Sequence, residues 1–174
     1  FVSASGDTLR YQVLLPNDYA AGKKYPLVIF LHGSGERSND NLLQLKHGSR
    51  MFTNPVNQEK YPAIVLFPQC PTEDTWIGSN LPKRDDNANI DWSSFADRPI
   101  APSLQRVKEL IDSYQATQKV DDKRIYIMGL SMGGMGTFDP SLAAPPLGMT
   151  CRFDCQCAGV ALCIDGLCGG AACT

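Results

Sequence analysis

Three short runs of the chain are apolar on both faces: Pro26 to Leu31, Tyr61 to Pro68 and Arg124 to Gly129. Strands of this kind are at home only in a sheet covered on both sides, which is the position of central strands in a parallel sheet. Between the second and third runs the period changes. Leu104, Val107, Leu110, Ile111 and Tyr114 recur at helical spacing and mark one face of a helix of roughly four turns. Pro102 suits its first turn. Buried strands that alternate with helical stretches indicate a parallel α/β sheet with flanking helices. A further strand is expected from Thr8 to Leu15, ending at Pro16, followed by a polar turn over 17–25. Residues 72–100 are rich in Asp, Asn and Pro and contain Trp76 and Trp92. They are expected to form a long loop over the carboxyl ends of the strands, where such sheets bind ligands.

The length of 174 residues fits a single domain. With 43% hydrophobic and 20% charged residues, the chain is not disordered as a whole. A formal net charge of -2 gives no electrostatic case for nucleic acid or an anionic membrane as partner. No apolar run approaches the ~20 residues of a membrane span. The chain opens at Phe1 without a Met, and the expectation is a processed product.

The third run leads into Gly129-Leu130-Ser131-Met132-Gly133, followed by Gly134 and Gly136. A serine hydroxyl is a weak nucleophile and needs a geometry that presents its oxygen. Gly-x-Ser-x-Gly between a strand and a helix supplies it: the serine sits on a strained turn, and its small neighbours let strand and helix approach. Met135 to Phe138 can continue as the helix. Attack on a carbonyl makes an oxyanion, which needs two backbone N–H donors. One is expected from Met132. The other is expected from the loop after the first run, His32-Gly33-Ser34-Gly35, at Ser34 or Gly35. Gly33 and Gly35 would let the backbone come close to substrate.

Together these residues resemble the α/β-hydrolase superfamily. More narrowly, Tyr25 through Arg37 is similar to the bacterial carboxylesterase and "predicted peptidase" group, which includes feruloyl-esterase-like and polyhydroxybutyrate-depolymerase-like enzymes. Asp40-Asn41, Gln44-Leu45, Gly48, Pro68-Gln69-Cys70-Pro71 with Trp76, and Gly129 through Gly134 extend the likeness over residues 7–139. The resemblance implies an α/β-hydrolase-type, mostly parallel sheet. It implies a hydrolase of small-molecule carboxylic esters that uses neither metal nor organic cofactor and is secreted or periplasmic. Ser131 would be the nucleophile and the amides of Ser34 and Met132 the oxyanion hole; Trp76 would either rim the substrate pocket with its loop or be a packing residue.

The pattern then breaks. Such triads run serine, acid, histidine in chain order, yet both histidines, His32 and His47, precede Ser131. His32 is expected to be a loop residue bonded to the backbone, and His47 a structural or exposed residue on a helix or its end. Of the later acids, Asp139 lies too close along the elbow helix, and Asp154 and Asp165 have no histidine to orient. Losing a triad member costs orders of magnitude in rate. The chain as written is therefore expected to be a crippled esterase unless a base such as a lysine or an upstream histidine arrives from elsewhere.

From Pro140 the text changes character. Pro140, Pro145 and Pro146 interrupt the expected helix, and Cys151, Cys155, Cys157, Cys163, Cys168 and Cys173 crowd one segment. The chain therefore divides into 1–139, the front part of an α/β-hydrolase domain incomplete on its C-terminal side, and an atypical tail, 140–174. The favoured reading of the tail is a shift of reading frame near codon 139. One codon choice for Cys151 to Cys157, read one base later, spells Ala-Gly-Ser-Ile-Ala-Asn-Ala, like a buried strand of such a fold. The rival is a disulfide module, since six cysteines are an even set; a zinc site fits less well, because the tail lacks histidine. Without the tail's help the strand at Ile125 to Met128 would have an open edge. A replacement strand would have to come from around Gly159 to Ile164. Two other functions stand beside the esterase: a peptidase of the same fold, and a non-catalytic scaffold or binding module whose Cys-rich tail carries the function.

Overall fold

The computed structural model describes residues 1–78, 99–117, 119–139 and 142, with the backbone alone of 160–164 and 167–168. One six-stranded sheet runs in the order β1-β3-β2-β4-β5-β6. Its strands are β1 (Arg10–Leu14), β2 (Tyr25–Leu31), β3 (Ile64–Gln69), β4 (Val120–Leu130), β5 (Val160–Ile164) and β6 (Leu167–Cys168). The three apolar runs are β2, β3 and β4, and they pair in parallel. The sheet is of the α/β-hydrolase type but mixed rather than mostly parallel. β1 lies antiparallel on β3, β5 antiparallel on β4, and β6 antiparallel on β5. Direction at the first edge follows from the connection: the segment between β1 and β2 holds no helix, so nothing returns the chain to the end it left.

The parallel strands are joined by helices. Between β2 and β3 lie two short ones, α1 (Ser49–Thr53) and α2 (Pro55–Lys60). Between β3 and β4 lies α3 (Pro102–Gln115), with Pro102 in its first turn. Its buried side includes Leu104, Val107, Leu110 and Ile111, with Tyr114 partly buried, so the helical period of the sequence is the packed face. Burial of each such aliphatic side chain contributes roughly 1.5–3 kcal/mol.

Side chains alternate across the sheet. Leu27, Ile29, Leu31, Ile64, Leu66, Ile125 and Ile127 point to the face that α3 covers. Val28, Phe30, Val65 and Phe67 form a second cluster on the other face, with Phe52, Tyr126 and Met128 partly buried against it. There α1 and α2 leave an open apolar groove of about 620 Å³, lined among others by Leu14, Val28, Met51, Phe52, Val65 and Tyr126. None of its lining residues belongs to the loops that carry Ser34 and Ser131.

The connection from β2 leads to one neighbour, β3, and the connection from β3 crosses over β2 to reach β4. Strand order therefore reverses at β2, and the carboxyl ends of β2 and β4 are the place where such sheets bind ligands. The elbow helix, α4 (Met132–Gly136), follows β4 directly. Residues 160–164 lie along β4 with Val160 opposite Leu130 and Cys163 opposite Ile127. This is the segment that the sequence named as the replacement strand. Trp92, the remainder of the Pro- and Cys-rich tail, and any pairing of its cysteines lie outside the described residues. Among the described residues, no helix is long and apolar enough to cross a membrane.

Candidate active site

Register brings the two loops together. β2 and β4 pair up to Leu31 opposite Gly129, so the chain leaves both strands side by side. One exit is His32 to Glu36 and the other is Leu130-Ser131. Ser131 has φ 52° and ψ −116°, and it is one of two non-glycine residues with positive φ among those described. A β-carbon is strained in that region, and the strain is held because strand and helix are locked on either side. The side chain is exposed.

The glycines around it are required by space. A methyl on Gly129 would stand 2.2 Å from the carbonyl carbon of Gly133, and one on Gly133 would stand 2.0 Å from the Leu31 carbonyl oxygen. Both obstacles are backbone, which cannot swing aside. A methyl on Gly136 would meet Trp76 Cβ at 2.8 Å. Strand β4, helix α4 and the end of β2 thus touch through bare backbone, and this contact fixes where Ser131 stands. Met132 opens α4, so its N–H belongs to the group of amides at a helix start that have no intrahelical partner.

On the β2 side, Ser34 begins a short 3₁₀ turn, Ser34–Glu36, with Glu36 N–H donating to Gly33 O at 3.3 Å. His32 organises this loop. Cys70 N–H donates to His32 Nε2 at 2.9 Å, so Nε2 carries no hydrogen and Nδ1–H donates to Gly33 O at 2.7 Å. That carbonyl shares a peptide plane with the Ser34 amide. In a trans peptide the imidazole therefore turns the Ser34 N–H away from itself. Burial holds the His32 pKa below its ordinary value. Both ring nitrogens are occupied, so His32 is a structural residue bonded to the backbone, as its sequence context suggested.

The remaining site residues of the sequence reading divide. Gly33 has φ −76°, which any residue adopts, so its need for glycine is one of space alone. A methyl on Gly35 would meet nothing within 4 Å and would project into open room. Of the two readings of Trp76, pocket rim or packing residue, the structure favours the second, since it has no exposed surface. Its Nε1–H donates to the His32 carbonyl at 3.0 Å and its ring packs edge-on against the imidazole, 5.2 Å between centroids. It is a packing residue behind the loop, because the elbow helix closes over it at Gly136. His47 lies in the bend between the 3₁₀ turn Leu43–Leu45 and the start of α1, half-exposed, with Nε2 3.6 Å from Glu36 Oε1. Asp139 is buried just past α4.

Two neighbours of the site were not singled out from the sequence. Arg37 donates from Nε to Ser34 O at 3.1 Å and from Nη1 to Thr72 O and Asp74 O at 3.1 and 3.2 Å, tying the Ser34 turn to the loop after β3. Glu36 is a carboxylate only 7% exposed. The available signal for both was position, directly after the glycine loop. Cys70 is buried, and burial pushes its thiol up to about 12, so it does not offer a thiolate near neutral pH. Among the described residues, no group of three or more His, Cys, Asp or Glu is placed to hold a metal ion.

Residues 3–145 match the model of the family described as "Putative esterase". The chain belongs to this esterase family. Among solved structures it is similar to a thermostable esterase, with 33% identity and a TM-score of 0.64 over 84% of this chain. That stretch covers 37% of the thermostable esterase, so this esterase chain spans well under half of its length. Two ferulic acid esterases also match. One has 20% identity and a TM-score of 0.48, covering 82% of this chain and 52% of its own. The other, from the anaerobic fungus Anaeromyces mucronatus, has 21% identity and a TM-score of 0.38, covering 72% of this chain and 45% of its own. Among curated proteins none matches.

Proposed function

We propose that this chain carries the nucleophile part of a carboxylic ester hydrolase, acting on small-molecule esters through an acyl-enzyme on Ser131. The observation that carries the reading is Ser131 itself: exposed, held at φ 52° on a turn that glycines 129, 133 and 136 pack into place, beside the Ser34 loop. In this reading the Ser131 oxygen attacks the ester carbonyl carbon and the amides of Met132 and Ser34 receive the oxyanion. Gly33 and Gly35 border the substrate, and its alcohol leaves before water releases the acid. Export to the periplasm or outside the cell goes with this reading as a further proposal. The test is covalent labelling by a fluorophosphonate, read by mass spectrometry, beside turnover of a p-nitrophenyl ester. Labelling confined to Ser131, absent from Ser131→Ala, supports the assignment; label elsewhere, or on neither protein in folded samples, refutes it.

Residues 140–174 are proposed to be a segment apart, out of the family's reading frame. The family match stops at residue 145, close to the change of character at Pro140. Sequencing the DNA tests this, and an intact frame through residue 174 would refute it. Quantifying free thiols tests the disulfide alternative, which requires almost none in the tail.

A further inference from the structure

Gly33 is glycine for want of room: a β-carbon built there would stand 2.9 Å from Glu36 Oε2 and 3.7 Å from Ser131 Cβ. Glycine is also the residue least able to hold its own backbone, and this one directly precedes the Ser34 amide. The two peptide groups that flank Gly33 are held instead by ring N–H donors. Trp76 Nε1–H donates to His32 O at 3.0 Å, and His32 Nδ1–H donates to Gly33 O at 2.7 Å. A planar peptide whose carbonyl is fixed has its N–H fixed as well. The two bonds thus keep Gly33 at φ −76° and ψ 174° and set the direction of the Ser34 N–H. Trp76 reaches the other turn too. A β-carbon on Gly136 would stand 2.8 Å from Trp76 Cβ, and one on Gly133 would stand 2.7 Å from the same His32 O that takes the indole hydrogen. The His32 carbonyl therefore stands beside both the indole and helix α4, whose first residue is Met132.

We infer that Trp76 is a positioning residue for the oxyanion hole: from behind both turns it fixes the Ser34 amide relative to the Met132 amide. The inference rests on the reading of those two amides as the hole. Trp76 has no exposed surface, so it does not meet substrate and acts through the His32 carbonyl and Gly136. His32 holds the peptide after Gly33 and leaves the peptide before it to the indole. A phenylalanine would fill much of the same space but has no hydrogen to give. Without that hydrogen the peptide between His32 and Gly33 turns about a glycine, and the Ser34 N–H drifts from the place where the oxyanion forms. Donors fixed in advance are effective because they need not move as charge develops. Small misplacements beside the reacting atoms lower the rate steeply.

The test is phosphorylation of Ser131 in the full chain by diethyl p-nitrophenyl phosphate and by its thiono analogue, in which sulfur replaces the P=O oxygen. With either reagent the bond from Ser131 Oγ to phosphorus forms, the bond to the nitrophenyl oxygen breaks, and the hydroxyl proton leaves with p-nitrophenol. Sulfur is the poorer hydrogen-bond acceptor, so the ratio of the two rates reads what the hole contributes. A general loss of stability lowers both rates and leaves the ratio. An oxyanion donor lost outright costs about 100- to 1000-fold, and one displaced is expected to cost on the order of 10-fold. Trp76→Phe is therefore expected to lower the oxygen-over-sulfur ratio about 10-fold, at a fold unchanged by circular dichroism. Gly136→Ala, whose methyl pushes against Trp76 Cβ, is expected to lower the ratio as well; it decides the matter if Trp76→Phe fails to fold. A wild-type ratio in the folded variants, whether or not both rates fall, overturns the role of Trp76 while leaving Ser131 as nucleophile. Absence of phosphorylation at Ser131 in the folded wild type overturns the reading of the nucleophile and this inference with it.

Discussion

Ser131 holds the highest local strain among the described side chains that the site uses, and the strain can be measured. At φ 52° and ψ −116° a β-carbon is unfavourable, while glycine adopts the region freely. Ser131→Gly should therefore be more stable than wild type by about 1 kcal/mol, the strain released less the entropy glycine adds to the unfolded chain. For a chain of this size that is a rise in Tm of about 3 °C. Calorimetry checks it, and an unchanged or lower Tm would mean the turn is relaxed with serine in it. The elbow was legible in the sequence because its requirement is local: five residues set the spacing, and the glycines meet backbone within van der Waals distance. Trp76 stayed open between rim and packing, because nothing in residues 72–78 says that Gly136, far along the chain, will close against its Cβ. Glu36 was hidden for the same reason: its partner His47 is brought to it by the turn before α1.

At the scale of elements, the ends of β2 and β3 and the start of α3 are held by side chains from outside them. His32 spans the first pair, bonding Gly33 O and Cys70 N–H as a neutral ring. Burial is the main cause that lowers its pKa. The unfolded chain takes up a proton at the ordinary imidazole value of about 6.5, whereas the folded one resists it. The contribution of His32 to stability is thus complete above pH 6.5 and is lost as pH falls through the depressed folded value. Urea midpoints measured from pH 7.5 down to 5 should decline, and the decline should be smaller in His32→Gln; equal declines would assign the effect to other groups. Helix α3 has Ala101 at its cap position, with no side chain to satisfy the first amides. Asp74 does so from the loop after β3, accepting Ser103 N–H at 2.9 Å and Ser103 Oγ–H at 2.6 Å beside Arg106. Asp74→Ala should cost about 1–2 kcal/mol, as lost caps do, seen as a lower urea midpoint at unchanged slope. An unaltered midpoint would mean that water replaces the carboxylate without loss. The sequence showed α3 through its apolar period and β2 to β4 through their double-faced burial, since both are patterns of burial. It did not show the direction of β1, which depends on a connection without periodicity, nor the cap, which crosses from residue 74 to residue 103.

At the scale of the whole molecule, the chain's stability as a monomer depends on how the sheet ends beside the nucleophile strand. β4 is central in the sheet because β5 lies along it: Ile127, Met128, Gly129 and Leu130 pair with Cys163, Leu162, Ala161 and Val160. On its other side β4 is fully committed to β2. Removal of residues 140–174 would leave that row of amides and carbonyls open on a strand whose side chains are apolar on one face and half-buried on the other. Such an edge templates pairing with a second chain. The groove beside Tyr126 and Met128 would add apolar surface to the same flank. The 1–139 chain is therefore expected to self-associate at micromolar concentration, detected by light scattering and as a shift to larger species in size exclusion, while the 174-residue chain does not. If 1–139 runs as a folded monomer, β5 is not what protects the strand, and the open edge is closed by charge or twist instead. If it associates, the tail has a structural task that holds whatever its origin: it closes the sheet on the side where Ser131 leaves it.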